Sequence, residues 1–153
     1  MIEERLRQLG VRIPKPEVTS FGYIPVSIYK NIAYLAGQIP KFEGSLFASG
    51  KIGCEVNLVK AKESARICIL QGLGWLQEYI GSLDNVERIL RMDAYLSIAP
   101  GFESLSEIVD AASDLLVSIF GESGRHPRSV IGVAFLPRNA PILIELTVAI
   151  KQQ

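Results

Sequence analysis

The stretch HPRSVIGVAFLPRNAPILIELTVAI, residues 126–150, contains two nearly continuous apolar runs separated by a short polar segment. The runs cover residues 128–136 and 142–150, and Pro137 and Pro141 bracket the segment between them. Runs of this length, rich in Val and Ile and bounded by prolines, are typical of β-strands that are covered on both faces. The end of the chain therefore predicts two strands with both faces covered.

Upstream of these strands, the hydrophobic period alternates between that of a strand and that of a helix. The predicted strands lie at about 22–29, 32–38 and 90–98, and the predicted helices at 58–80 and about 103–120. Lys30 and Asn31 fit a tight turn, with Asn tolerating a positive φ. The order β-β-α-β-α-β-β predicts an α/β (α+β) fold, with one sheet and two long helices on one face.

The first twenty residues are predicted to lead into this domain without being part of it. Residues 2–9 carry an apolar stripe at helical spacing, and Pro14 and Pro16 then favour an extended connector. Residues 21–153 form the single domain. Within it, residues 40–53 contain three glycines and are predicted to form a mobile loop.

Composition and charge disfavour several classes of function. Lys and Arg together number 16, as do Asp and Glu, whereas a nucleic-acid-binding protein usually carries a basic surplus. Cys54 and Cys68 lack the spacing of a zinc site. There is no phosphate-binding loop, and we expect neither a metal nor a cofactor. The start of the chain does not resemble a signal peptide and no stretch is long enough to span a bilayer, so we expect a cytoplasmic protein.

The two predicted helices cover only one face of the sheet. No remaining element is available for the other face, and the apolar strands predict that this face is apolar as well. Large apolar surfaces seldom face water in a monomer. We therefore expect the protein to self-associate through its sheet.

Four polar residues interrupt this pattern and are candidates for a site. Glu145 lies in the last apolar strand, where a buried carboxylate must be paired, hydrogen-bonded or neutralised. Arg128 lies at the start of the preceding strand, and its planar guanidinium suits a carboxylate ligand. These two residues fit a structural ion pair as well as they fit a site. Tyr23 is also compatible with simple packing and Asp110 with a solvated helix surface; His126, the single histidine, is assigned no role.

Two motifs in these segments resemble the Rid (YjgF/UK114) family. One is PRSVxGVAxLP at residues 127–137, followed by Ile-Glu-Leu at 144–146, and the other is LAGQIP at residues 35–40. The similarity extends over residues 22–149. It implies a chorismate-mutase-like fold assembled as a homotrimer, with three clefts between subunits. It also implies hydrolysis of reactive imines and enamines, without a cofactor.

The resemblance implies a role for individual residues. Arg128 corresponds to the arginine that holds the substrate carboxylate, and Glu145 to a glutamate that orients or activates water. Tyr23 corresponds to a tyrosine that lines the cleft, and the backbone of Gly37 to a substrate contact. The expected product is a 2-keto acid together with ammonia.

Two further substrate-binding positions depart from the family pattern. Val130 stands where family enzymes usually carry Cys, and Asp110 where they often carry Asn. These departures favour an alternative, a non-enzymatic protein that binds or senses small carboxylates such as 2-keto acids. A third reading, the endoribonuclease or translation inhibitor of older family descriptions, is disfavoured by the zero net charge.

The strand register poses a difficulty for a site that uses both Arg128 and Glu145. A simple hairpin that closes Leu136 opposite Ile142 pairs Glu145 with Val133. Glu145 then lies about 16 Å along the strand from Arg128, on the other face of the sheet. Either a bulge near residue 132 shifts the register, or the two side chains serve parts of a site that another subunit completes.

Overall fold

A computed structural model describes residues 1–18 and 22–152. In chain order its helices and strands are α1 (Ile2–Leu9), β1 (Val26–Tyr29), β2 (Ile32–Leu35), β3 (Lys41–Phe42), β4 (Ser45–Leu46), α2 (Leu58–Ile80), β5 (Val86–Ser97), α3 (Leu105–Phe120), β6 (Arg128–Val133) and β7 (Ile142–Ile150). The predicted mixed fold, with one main sheet and two long helices, is confirmed.

The main sheet has the strand order β1-β2-β7-β5-β6. The simple hairpin between the last two strands is wrong, because β5 lies between β6 and β7. The chain leaves β5, crosses over through α3 and returns as β6, which pairs parallel to β5. The turn at Pro137–Asn139, where Arg138 and Asn139 have positive φ, then carries the chain past the end of β5 to form β7 on its other side.

Both long helices pack on one face of this sheet and enclose the core. Asn57 caps the start of α2 by accepting a hydrogen bond from the amide of Lys60 at 2.8 Å. The largest fully buried side chains come from α2 (Ile69, Leu73, Leu76), α3 (Ile108, Leu116, Ile119) and the facing side of the sheet (Ile89, Met92, Leu96, Ile142, Ile144). This core fixes which face each strand residue presents to the helices.

The N-terminal segment packs against the same helix layer. The amide of Ile2 donates to Asp84 at 2.9 Å, and Leu6 is buried in the core. The connector after α1 crosses α2 at Gly74, where a β-carbon would lie 2.5 Å from the carbonyl oxygen of Pro14. Gly74 is therefore required by close packing of backbone on backbone.

The other face of the sheet, which we call the open face, is not covered by a helix in the described part of the chain. The expectation that this face is apolar is wrong, since Arg91, Asp93 and Glu145 lie on it. Apolar side chains are interspersed with them, and Ile131 is exposed. The related expectation that both final strands are covered on both faces is also wrong. The residues of β6 are half-buried or exposed along the whole strand, and every second residue of β7 points to the open face.

Two local predictions also differ from the structure. Lys30, and not Asn31, has the positive φ in the turn between β1 and β2. The segment predicted as a mobile loop contains the short hairpin of β3 and β4, with Glu43 and Gly44 at its tip. This hairpin contributes one wall of the cleft described below.

Candidate functional site

Arg128 lies at the start of the edge strand β6 and extends onto the helix side of the sheet, where it meets α3. Its Nη2 donates to Oδ1 of Asp110 at 2.7 Å and, at 3.4 Å, to the carbonyl oxygen of Ser106. Its Nη1 donates to Oγ of Ser113 at 2.9 Å. Asp110, one of the predicted binding residues, is therefore the ion-pair partner of Arg128, and its side chain is also exposed on the helix surface, as the alternative interpretation expected.

His126, which was assigned no role from the sequence, completes this group. Nε2 of His126 lies 3.0 Å from Oγ of Ser113, and Nδ1 lies 2.6 Å from the carbonyl oxygen of Gly124. A carbonyl oxygen can only accept, so Nδ1 carries a proton and donates to Gly124, which leaves Nε2 directed at the serine hydroxyl. We call Arg128, Asp110, Ser113 and His126 the Arg128 cluster.

The signal that identifies Ser113 and His126 is their spacing around the end of α3. Ser113 is one helical turn after Asp110, so both face β6, and the chain turns back at the Gly121–Gly124 segment to place His126 beside them. Val130, two residues beyond Arg128 on β6, is on the same side of the sheet and packs against the core. It adds an apolar wall next to the cluster.

Tyr23 and Gly37 lie elsewhere, in a cavity of about 700 Å3 that we call the Gly37 cleft. Its walls come from the N-terminal connector, the β3–β4 hairpin, α2 and the start of β7. The charged residues that line it are Arg12, Lys15, Lys41, Arg138, Glu17 and Glu43, and the aromatic ones are Tyr23, Phe42 and Trp75. Cationic side chains outnumber the acidic ones, which suits an anionic ligand.

Gly37 itself lies at a bulge opposite Glu145. Tyr34 pairs with Thr147, but Gln38 pairs with Ile144, so four steps along one strand oppose three along the other. A β-carbon on Gly37 would lie 2.4 Å from Cδ2 of Leu143, the β7 side chain that reaches the cleft. Leu143 and Glu145 are on the same face, two residues apart, and it is Leu143 that contacts Gly37.

Glu145 is half-buried on the open face. Its Oε1 accepts a hydrogen bond from the hydroxyl of Tyr95 at 3.2 Å. The negative charge of Glu145, and secondly burial, raises the pKa of the Tyr95 hydroxyl above its ordinary value. Asp93 is directly opposite Glu145 in the β5–β7 register and pairs with Arg91 at 3.0 Å, which offsets the repulsion between the two carboxylates.

The predicted site residues thus fall into two groups in one copy of the chain. Arg128, Val130 and Asp110 are on the helix side at the β6 edge, whereas Gly37 and Glu145 are on the open face, beyond β5. The alternative that Arg128 and Glu145 form a structural ion pair is wrong. Among the described residues, Asp110 is the carboxylate that pairs with Arg128, and Glu145 takes part in no ion pair.

The described residues contain no group of three or more His, Cys, Asp or Glu side chains placed to hold a metal ion. Within residues 1–18 and 22–152 there is also no helix with the length and hydropathy of a membrane span.

Residues 3–150 match the family described as "YjgF/chorismate mutase-like, putative endoribonuclease". The chain belongs to this family, which confirms both the resemblance to Rid proteins and the expected chorismate-mutase-like fold. The match covers nearly the whole chain, including both groups of site residues.

Similar proteins come from distant organisms. Protein TCP17 of Trypanosoma cruzi is 30% identical over 148 residues, which are 96% of this chain and 92% of that protein. Atu1372 of Agrobacterium tumefaciens has a crystal structure with a TM-score of 0.90 and 30% identity, covering 99% of this chain and 92% of that one. A Shewanella oneidensis protein described as a "putative endoribonuclease" gives a TM-score of 0.93 and 28% identity, covering 98% and 99%.

Proposed function

We propose that this chain is an imine deaminase, which hydrolyses reactive 2-imino acids to 2-keto acids and ammonia in a cleft between copies of the chain. The observation that carries the proposal is the separation of the site residues into two groups. A carboxylate-binding group lies at the β6 edge, and a water-binding group lies near the Gly37 cleft. A homotrimer brings the first group of one copy against the second group of its neighbour.

In this proposal, Arg128 holds the substrate carboxylate through its guanidinium. The three hydrogen bonds that the guanidinium already makes fix its orientation, so little side-chain entropy is lost on binding. The weakest of them, at 3.4 Å to the Ser106 carbonyl, is the contact that a ligand carboxylate replaces most readily. Val130 adds an apolar surface for the substrate side chain.

Glu145 of the neighbouring copy, with Tyr23, then orients a water molecule toward the imine carbon. The water oxygen forms a bond to that carbon, and the C=N π electrons move to nitrogen, which takes up a proton. In the resulting carbinolamine the hydroxyl loses its proton and the amine nitrogen takes one up, so that ammonia leaves as the C–N bond breaks and the oxygen forms the keto C=O bond. No electrons are exchanged with an external group, so these reaction steps need no redox cofactor.

Ammonia release tests this proposal directly. 2-Iminopropanoate is generated in the assay from L-alanine by an amino-acid oxidase with catalase present, and the decay of the imine is followed with and without the protein. We expect the protein to accelerate ammonia release beyond the spontaneous rate, and Arg128→Gln to abolish the acceleration. An unchanged rate with the wild-type protein contradicts the proposal.

A second candidate is a protein that binds small carboxylates without converting them. The observation that favours it is the side chain beside Gly37, which is Leu143 and has no group to accept a proton. A rise in melting temperature with 2-oxobutanoate, without any acceleration of imine hydrolysis, supports this candidate over the first.

A further inference from the structure

We propose that Asp110 is a specificity-determining residue, which makes the Arg128 cluster select ligands that carry a carboxylate next to a cationic nitrogen. Such ligands are 2-iminium acids and α-amino acids, and the ligands that Asp110 disfavours are plain 2-keto acids. The inference rests on the proposed function, because it names the charge state of the substrate at the same site.

The geometry of the cluster presents two opposite charges side by side. Nη2 of Arg128 and Oδ1 of Asp110 are 2.7 Å apart, and both side chains reach the surface, with exposed fractions of 22% for Arg128 and 59% for Asp110. A ligand carboxylate that contacts the guanidinium therefore lies within a few ångströms of a second carboxylate. Ser113 holds the other arm of the guanidinium at 2.9 Å, so Arg128 keeps its position while Asp110 turns toward a ligand.

The two ligand classes respond to this arrangement in opposite ways. A 2-keto acid brings one negative charge, which Arg128 attracts and Asp110 repels. A protonated imine or an amino acid brings the same carboxylate and also an N–H cation, which donates to Asp110. The pair of opposite charges in the protein then matches the pair of opposite charges in the ligand.

This preference suits an imine hydrolase. The protonated imine is the more electrophilic form of the substrate, and the anion of Asp110 stabilises it in the cleft. The product keto acid loses the cation and retains only the repelled carboxylate. Asp110 therefore favours substrate binding and product release together.

Asp110→Asn tests both the repulsion of keto acids and the attraction of a cationic nitrogen, because it removes the charge of Asp110 and keeps the shape of the side chain. The probes are L-2-aminobutanoate, a stable amino acid that stands in for the iminium, and 2-oxobutanoate, which has the same carbon skeleton. Dissociation constants at pH 7 are measured by calorimetry. We expect Asp110→Asn to bind 2-oxobutanoate more tightly and 2-aminobutanoate more weakly, each by about tenfold.

The matched control is Asp114→Asn, which makes the same change on an exposed residue of α3 four positions further along. It leaves both dissociation constants unchanged. Asp110→Glu keeps the charge and retains the preference for the amino acid, which separates the charge of Asp110 from its contribution to packing.

If Asp110→Asn changes the dissociation constants of both ligands equally and in the same direction, the inference is overturned. The proposed function stays intact in that case, because Arg128 still binds carboxylates without discriminating between them. Failure of the wild-type protein to bind either ligand overturns the inference and also removes the carboxylate-binding step of the proposed function. If the two affinities shift in opposite directions but the wild-type protein does not accelerate imine hydrolysis, only the deaminase proposal is overturned.

Discussion

Arg128 and Glu145 lie on the two strands that flank β5 in the main sheet, and their side chains project from opposite faces. Arg128 is in register with Met92 on β5, and Glu145 is in register with Asp93, the next residue. The strand between them separates β6 from β7 by about 10 Å. One small substrate therefore cannot contact both side chains of a single copy, and any site that uses both must combine two copies.

The first prediction concerns assembly. We expect the chain to sediment as a trimer at micromolar concentration, because Tyr34 and Ile131 are exposed apolar side chains on the open face and no helix of the described chain lies over them. Analytical ultracentrifugation measures this. A stable monomer at that concentration contradicts the proposal of a cleft between copies of the chain.

Mixing two inactive variants tests whether each site draws on two copies. Arg128→Gln lacks the carboxylate contact, Glu145→Gln lacks the water-orienting carboxylate, and each homotrimer is expected to be inactive. When the two are co-expressed and assemble randomly, each cleft has one chance in four of receiving both intact residues. We expect about a quarter of the wild-type ammonia release in the mixture. No recovery contradicts a site that combines Arg128 of one copy with Glu145 of another.

Arg128→Lys is expected to preserve the fold and weaken the binding of 2-keto acids by about ten- to a hundredfold. An ammonium group cannot donate at once to Asp110, Ser113 and a ligand in the planar geometry of a guanidinium. Calorimetric titration with 2-oxobutanoate measures the change. Arg125→Lys is the control, since Arg125 is exposed and pairs with Glu122, away from the Arg128 cluster. Equal affinity in Arg128→Lys and the wild type assigns Arg128 a structural role.

Elements with strong periodicity were predictable from the sequence. Both α2 and β7 begin and end where the hydrophobic pattern places them, because each element buries one face in the core along its whole length. Strand pairing was not predictable in this way. A short connection between two apolar runs favours a hairpin locally, but the packing of α3 against β5 places β6 on the far side of that strand.

The candidate site was likewise predictable only in part. Arg128 and Glu145 stand out in the sequence as charges in apolar runs, and the side chains of both are partly exposed. The contacts of Arg128 with Asp110 and Ser113 could not be predicted from the sequence, since only the β-α-β crossover brings these residues together. His126 has no distinctive neighbours in sequence, and only the turn after α3 brings it to Ser113.

Two glycines of α2 provide a test of the packing between the N-terminal connector and the helix. Gly74→Ala places a β-carbon 2.5 Å from the backbone of Pro14, and we expect a loss of about 1–3 kcal/mol in the free energy of unfolding. Gly72→Ala meets its nearest neighbour at 3.6 Å, an ordinary contact, so the better helix propensity of Ala is expected to add about 1 kcal/mol. Thermal melts of the two variants should therefore shift in opposite directions, by roughly 2–4 °C per kcal/mol.

The last prediction concerns Glu145→Gln. The substitution is nearly isosteric, and the amide oxygen can still accept the hydrogen bond from Tyr95. Because Glu145 has no cationic partner among the described residues, the change leaves no buried cation unpaired, and the free energy of unfolding should change by less than about 1 kcal/mol. The amide cannot accept a proton, so imine hydrolysis should fall by about 10²- to 10⁴-fold while the affinity for 2-oxobutanoate stays the same. Asp93→Asn, which neutralises the carboxylate opposite Glu145, is the control and should keep most of the activity. A stable Glu145→Gln variant with full activity shows that Glu145 is not the group that orients water, and it directs the search to Tyr23 and the other residues of the Gly37 cleft.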